Sequence, residues 1–134
     1  MGRINRRGLR QGIEAANATC VLPFGILEKH GPSGPIGTDL IDVRFITTKA
    51  VQKEYALVFP EYYVGQIFEA KHQPGTIAYS TQLQFQMLQE TVSEMGRNGC
   101  RKILIASGHA GTLIYSIISC RRSWIRRRTT LSTE

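Results

Sequence analysis

Short apolar segments alternate along this chain with longer segments in which apolar residues recur at helical spacing. Residues 18–24 form the first apolar segment, which contains Pro23 and is followed by Gly25. Residues 56–60 and 102–107 have the same character. Short apolar segments bounded by Gly and Pro are typical of buried strands. The pattern therefore predicts three strands.

Two segments between these strands show helical periodicity. In residues 39–54 the apolar positions are spaced by three or four, and Thr38 or Asp39 is a suitable N-cap. A second helix begins at Ser80 or Thr81 and ends at Asn98-Gly99. The predicted apolar faces are Leu40, Val43, Ile46, Ala50 and Val51 in the first helix, and Leu83, Met87, Leu88, Val92 and Met95 in the second.

This alternation of strand and helix predicts an α/β fold with a parallel sheet and right-handed crossovers. In such sheets ligands bind beyond the carboxyl ends of the strands. The loops 25–39, 61–76 and 108–111 all follow predicted strands. We therefore expect the three loops to meet at one edge of the sheet.

Composition and length fit one globular domain with a real core, because 42% of the 134 residues are apolar and 20% are charged. No apolar run approaches the roughly 20 residues that a membrane helix needs. Gly12, Glu14 and Asn17 interrupt any apolar region of a secretory signal. The expected setting is the cytoplasm, with no membrane partner.

The net charge of +7 is concentrated at the two ends of the chain. Residues 1–10 and residues 121–134 each carry +4, and the stretch between them carries −1. A nucleic-acid-binding face would spread Lys and Arg over the folded surface, so a nucleic-acid role is the least favoured hypothesis. After Ser119 the apolar pattern is lost, which indicates an arginine-rich tail over residues 120–134.

Three cysteines, Cys20, Cys100 and Cys120, show no CxxC spacing. An odd number without such spacing suits neither a disulfide scaffold nor a zinc ribbon. Cys20 and Cys100 lie within or beside apolar segments, so the sequence predicts buried, reduced thiols there.

Polar residues that could perform chemistry cluster after the predicted strands. Glu28 and His30 are two residues apart, so they point the same way on an extended segment, and the loop beyond them can return Asp39 to their side. His109 follows the third strand, and His72 lies in the long loop. Carboxylates and imidazoles together suit Zn or Mn, and Asp39 could bridge two ions about 3.5–4 Å apart.

Simpler interpretations remain open for each of these residues. The histidines could be ordinary surface residues, Glu28 could be surface charge, and the glycines of these loops could serve turns alone. A phosphate-binding loop is disfavoured because neither a Walker pattern nor GxGxxG occurs.

At these positions the sequence resembles the creatininase (creatinine amidohydrolase) family over about residues 18–112. The motifs that carry the resemblance are LPFGILEKHGP at 22–32, IGTD at 36–39, HQPGTI at 72–77 and SGHAG at 107–111. It implies a three-layer α/β/α sandwich with a mostly parallel sheet. It also implies a dinuclear Zn or Mn site that hydrolyses a C–N bond of a cyclic or linear amide through a metal-bridging water.

Specific roles follow from the resemblance alone. Glu28 and His109 would hold one ion and His30 the other, with Asp39 between them. Glu28 and His72 occupy the catalytic positions, His72 near the mouth of the substrate site. The partners it implies are a small-molecule amide and further copies of the chain, as a hexamer.

The sequence departs from the family at several positions. Ser33, Ser107 and Thr112 replace a histidine and two asparagines, and Gly111 stands where a further glutamate ligand can occur. The resemblance therefore implies a C-terminally truncated member, with residues 1–119 as the creatininase-like domain and 120–134 as the tail. The alternative is an inactive fragment that binds one metal ion or acts only by association.

Overall fold

A computed structural model describes residues 6–111 of the chain. Three helices and three strands alternate in it: α1 (Arg6–Ala15), β1 (Thr19–Phe24), α2 (Thr38–Ala50), β2 (Leu57–Val58), α3 (Thr81–Arg97) and β3 (Lys102–Ser107). The three predicted strands and two predicted helices are confirmed. The arginine-rich tail at 120–134 and the domain boundary at 119 lie outside the described residues and stay predictions.

The strands form a parallel sheet in the order β2-β1-β3. β1 and β3 pair along their whole length, from Thr19 opposite Lys102 to Phe24 opposite Ser107. β2 is shorter and pairs only with the first half of β1. The central strand β1 is thus flanked on both sides, and the predicted α/β fold with a parallel sheet is confirmed.

Side chains of β1 alternate between two buried layers, as expected for a strand covered on both faces. Cys20, Leu22 and Phe24 join a core cluster that includes residues of α1 and α3. Val21 is buried outside that cluster, and α2 contacts β1 and β3. The sheet therefore lies between helices, in the three-layer arrangement of the sequence prediction.

The faces that the helices bury differ from the predicted ones. In α2 the buried residues are Asp39, Val43 and Thr47, whereas Ile46 is 62% exposed. In α3, Leu88 and Met95 are buried as predicted, but two other members of the predicted apolar face, Leu83 and Met87, are each 41% exposed. Apolar spacing located both helices but did not fix their rotation about their axes.

Helix α1 was not predicted, because its arginines dominate the composition of that segment. Its apolar residue Ile13 and the following Ala16 are buried, while Arg7 and Arg10 are exposed. The charge near the start of the described chain thus lies on the solvent side of an amphipathic helix.

The prediction of reduced thiols at Cys20 and Cys100 is wrong. The two residues form a disulfide with their Cα atoms 5.8 Å apart. Cys20 lies at the start of β1, and Cys100 comes just before β3, so the pairing of these strands brings together cysteines that are 80 positions apart. Spacing along the chain could not reveal this contact because it depends on the crossover through α2, β2 and α3.

Within residues 6–111, none of the helices combines the length and the apolar character needed to cross a membrane.

Candidate metal centre

The ends of two neighbouring strands and the start of one helix converge at the carboxyl edge of the sheet. Glu28 and His30 lie on the loop that leaves β1, Asp39 lies in the first turn of α2, and His109 follows β3. The Gly108 N–H donates to Phe24 O at 2.8 Å, which extends the pairing of β1 and β3 beyond the strands. The predicted meeting of loops at this edge therefore places all four side chains on one side of the sheet.

Glu28, Asp39 and His109 form a compact group in which one ligand atom from each lies within 4.8 Å of the others. His109 Nδ1 is 3.2 Å from Glu28 Oε1 and 3.0 Å from Asp39 Oδ2. We call these three residues the donor cluster. Asp39 is almost fully buried, and the side chains of Glu28 and His109 are 15% and 10% exposed.

His30 stands beside the donor cluster rather than within it. Its Nε2 atom is 3.1 Å from Asp39 Oδ1 and 4.0 Å from Glu28 Oε1. The two carboxylate oxygens of Asp39 therefore face different imidazoles, Oδ1 that of His30 and Oδ2 that of His109. This is the arrangement expected of a carboxylate that lies between two ligand sets.

His72 lies on the exposed part of the long loop and is not a member of the donor cluster. The Gln73 side-chain amide donates to His72 Nε2 at 2.7 Å, and Lys29 Nζ donates to Gln73 Oε1 at 3.0 Å. The His72 loop is thus tied to the loop that carries Glu28 and His30. The structure brings four of the five predicted site residues together and places His72 on the neighbouring loop.

Burial and neighbouring charges shift the pKa values of Glu28 and His109. Burial raises the pKa of Glu28, the charge of His109 lowers it in part, and the charge of Asp39 raises it further. Burial of the His109 ring alone would lower its pKa. The close contact with Asp39 and the charges of Asp39 and Glu28 outweigh burial, so the pKa of His109 is raised. Both directions are those expected where carboxylates lie close together, and close to an imidazole, in a partly buried site.

The donor atoms fit a divalent cation by their chemistry and by their lack of other partners. Within residues 6–111, Asp39 Oδ2 is buried without a well-aligned hydrogen bond, although it lies 3.0 Å from His109 Nδ1. Buried polar atoms seldom lack partners in a folded protein, and a divalent cation would supply one here. Two carboxylates and an imidazole are a donor set that zinc and manganese both accept.

Three residues around the cluster were not predicted as site residues from the sequence. The Ser107 hydroxyl donates to His109 O at 2.7 Å and accepts from His109 N at 3.2 Å, which shapes the turn after β3. Gln66 and Glu69 lie in the long loop, and Gln66 Nε2 donates to Glu69 Oε2 at 2.7 Å. The sequence placed the loop that contains Gln66 and Glu69 after β2, at the edge of the sheet. It gave no reason to choose these two residues over their neighbours in the loop.

Fold and site together define an α/β protein with carboxylate and imidazole side chains grouped at the carboxyl edge of a parallel sheet. A sequence model of the creatininase family, described as creatinine amidohydrolase, matches residues 5–129. The match covers most of the chain. The protein belongs to the creatininase family, as the sequence motifs predicted.

Individual relatives agree with this assignment. The creatinine amidohydrolase of Pseudomonas putida is 24% identical over 114 residues, which are 81% of this chain and 44% of the relative. Two solved structures, a manganese creatininase and a mutant creatininase of the Zn-Zn type, share the fold with a TM-score of 0.85 at 20% identity. Each alignment covers 97% of this chain and 52% of the other. The chain thus spans about half the length of the relatives that it matches.

Proposed function

We propose that this chain is the metal-holding part of a creatininase-type amidohydrolase that acts on a C–N bond of a small cyclic or linear amide. The observation that carries the proposal is the donor cluster of Glu28, Asp39 and His109, with His30 beside it. Membership of the creatininase family supports the same reaction class. Creatinine is the first substrate to test because the P. putida relative is a creatinine amidohydrolase.

Within this proposal Glu28 and His109 hold one divalent ion, His30 holds a second, and Asp39 lies between them. Such ions, when bound, lower the pKa of a coordinated water and polarise the amide carbonyl. Zinc and manganese are both candidates, since creatininases of Zn-Zn and Mn type share this fold. The protein's own contribution is positional, because β1, β3 and α2 hold the side chains at fixed separations before any ion binds.

Proton transfer and substrate contact are assigned to residues at the mouth of the site. Glu28 is assigned to proton transfer, and burial raises the pKa of its carboxyl. His72 is proposed to face the substrate from the neighbouring loop, which Lys29 and Gln73 tie to the metal-binding loop.

A second candidate function is a fragment that binds one ion and does not catalyse. The number of candidate metal groups favours it. Within residues 6–111 one group of three close donor residues is found, formed by Glu28, Asp39 and His109. Position 111 supplies no carboxylate, since it is a glycine. The two candidates differ in stoichiometry, with two bound ions for the enzyme and one for the fragment.

Metal content of the purified full chain, measured by elemental analysis after dialysis, tests both candidates. The informative variant is Asp39→Asn, which keeps the side-chain shape and removes the charge. Asp42→Asn is the matched control, because Asp42 lies on the same helix and is exposed. We expect one or two equivalents of zinc or manganese in the wild type and in Asp42→Asn, and a loss of at least one equivalent in Asp39→Asn.

Activity is then measured as amide hydrolysis by the metal-loaded chain, with creatinine as the first substrate. Turnover together with two equivalents of metal supports the enzyme, and one equivalent without turnover supports the fragment. A metal-free wild type, or metal retained in full by Asp39→Asn, would contradict both. Assembly into homo-oligomers and a cytoplasmic setting are further parts of the proposal.

A further inference from the structure

The two nitrogens of the His109 ring face different surroundings. Nδ1 points to the carboxylates of Glu28 and Asp39. Nε2 is buried and has no hydrogen-bond partner among the residues that the structure describes. Histidines that bind metals through one nitrogen usually donate the N–H of the other to a nearby acceptor, which fixes the tautomer and the ring orientation. His109 therefore needs an acceptor on its Nε2 side.

Gly111 leaves room for such an acceptor. A Cβ atom at this position would lie 2.7 Å from His109 Nε2 and 3.0 Å from Gln66 Oε1. Both distances are too short for a side chain to fit without displacing its neighbours. His109 Nε2 and Gln66 Oε1 thus border the same small space, which the absence of a side chain at residue 111 keeps open.

The amide of Gln66 is oriented by Glu69. Hydrogen bonds from the Glu69 backbone and from Gln66 lower the pKa of the Glu69 carboxyl, so that it is an anion at neutral pH. An ionised carboxylate only accepts hydrogen bonds, which requires the NH₂ group of Gln66 to face it. The donor distance to Glu69 Oε2 is 2.7 Å. The carbonyl oxygen of Gln66 is consequently the atom presented to the space beside His109.

We propose that Gln66 is the positioning residue of His109: its Oε1 accepts the Nε2–H proton, directly or through one water, and Glu69 holds the amide in that orientation. The imidazole is then fixed with Nδ1 unprotonated and directed at the ion. A small rotation of the flexible Gln66 side chain, or one bridging water, completes the hydrogen bond. This inference rests on the proposed metal centre and concerns the residues that support it.

Metal affinity of the full chain provides the first test, measured by competition with a chromophoric zinc chelator at fixed pH and ionic strength. Removal of a group that supports a metal ligand typically weakens binding about 10- to 100-fold. We expect Gln66→Ala to weaken zinc binding by this factor. We expect Glu69→Gln to weaken zinc binding as well. The chain offers a matched control pair on α3, where Gln86 Nε2 donates to Glu90 Oε1 at 3.0 Å. Gln86→Ala and Glu90→Gln should bind zinc as the wild type does.

Imidazole nitrogen shifts provide a readout that a purely structural role would not change. In long-range ¹H–¹⁵N spectra of the zinc-loaded chain, His109 should show Nε2 protonated and Nδ1 coordinated. In Gln66→Ala the Nε2 proton should exchange faster with solvent. A His109 ring protonated at Nδ1 in the zinc-loaded wild type would overturn the inference.

Asp39→Asn separates failure of this inference from failure of the proposed function. If Asp39→Asn loses zinc while Gln66→Ala binds it as the wild type does, the metal centre stands and the role of Gln66 is overturned. If the control variants weaken binding as much as Gln66→Ala and Glu69→Gln, the effect is general and the inference is likewise overturned. If Asp39→Asn binds zinc normally, the proposed metal centre itself fails.

Discussion

At the scale of single residues, the site depends on two glycines that let three backbone segments approach closely. A Cβ on Gly25 would lie 2.7 Å from the backbone N of Leu40 and 2.9 Å from the backbone C of Asp39. A Cβ on Gly108 would collide with the backbone O of Asp39. The ends of β1 and β3 are thus packed directly on the first turn of α2. This packing fixes where the Asp39 carboxylate lies relative to Glu28 and His109.

Replacement of Gly25 by alanine is therefore expected to damage both stability and metal binding. The new methyl group meets backbone atoms that cannot rotate away, and overpacking of this kind costs about 1–3 kcal/mol. Because the displaced segment carries Asp39, zinc affinity should fall as well. Chemical denaturation and chelator competition on the same samples measure the two effects.

Gly96→Ala is the matched control for that substitution. Gly96 lies in α3, and a Cβ added there would meet no atom of residues 6–111 within 4 Å. Alanine in a helix is more stable than glycine by roughly 0.5–1 kcal/mol, so this variant should be slightly stabilised and should bind zinc normally. Equal behaviour of the two variants would show that the close approach at Gly25 is unimportant.

The sequence singled out four side chains that the structure brings together at the edge of the sheet, but not Gln66 and Glu69 beside them. Glu28, His30, Asp39 and His109 follow strands or begin a helix, and the parallel topology alone brings such positions to one edge. Gln66 and Glu69 lie in an irregular loop, where no periodicity indicates which side chain faces inward. Their placement depends on side-chain hydrogen bonds that exist only in the folded structure.

At the scale of secondary-structure elements, the site itself explains why the buried face of α2 was mispredicted. Asp39, Val43 and Thr47 are spaced by four and share one helix face. That face is turned inward because Asp39 reaches the donor cluster, and the Thr47 hydroxyl is satisfied by donation to Val43 O at 2.7 Å. Apolar spacing predicts Val43 on the buried face as well, but it adds Ile46, which is largely exposed. The inward face of α2 thus carries a buried carboxylate that apolar spacing alone would not place there.

Helix α3 allows a direct test of which residues of its predicted apolar face are buried. Leu88 is 1% exposed and belongs to the core, whereas Leu83 is 41% exposed. Truncation of a buried leucine costs about 2–5 kcal/mol, because apolar contacts are lost and a cavity remains. Leu88→Ala should therefore lower the free energy of unfolding by that amount. Leu83→Ala should change it by only about 0.5 kcal/mol, as surface substitutions usually do.

Urea denaturation of the two variants measures this difference. The helix is capped by Ser80, whose Oγ accepts from Leu83 N at 3.4 Å, and this bond to the backbone remains in Leu83→Ala. Comparable losses in the two variants would indicate that α3 is rotated relative to the structure, so that Leu83 is buried along with Leu88.

At the scale of the whole molecule, the donor cluster is complete within about half the length of the relatives. Its three residues lie between positions 28 and 109, on loops and a helix that the sheet β2-β1-β3 supports. In the described part of the chain β3 pairs only with β1, and Leu104 on β3 is 60% exposed. Metal binding can therefore be tested on this chain as it stands.

The disulfide is the strongest constraint on the molecule as a whole. It joins residues 80 positions apart and so encloses α2, β2 and α3 in one covalent loop. A cross-link that closes a loop of this length restricts the unfolded chain and typically stabilises a protein by about 2–5 kcal/mol. Peptide mapping of the alkylated, unreduced protein should find Cys20 linked to Cys100. Alkylated thiols at both positions in the main species would contradict the cross-link.

Reduction should lower stability and leave the metal centre of the folded protein intact. The disulfide lies at the amino ends of β1 and β3, whereas the ligands lie beyond their carboxyl ends, and the pairing from Thr19–Lys102 to Phe24–Ser107 separates the two. Because this pairing holds the register without the cross-link, zinc affinity should stay within about twofold while the free energy of unfolding falls by about 2–5 kcal/mol.

Two variants serve as controls. The reductant should have the same effect on Cys120→Ser as on the wild type, and it should have no effect on the double variant Cys20→Ala/Cys100→Ala. A loss of zinc affinity under conditions where the reduced chain remains folded would mean that the cross-link, rather than strand pairing, sets the separation of Glu28 and His109.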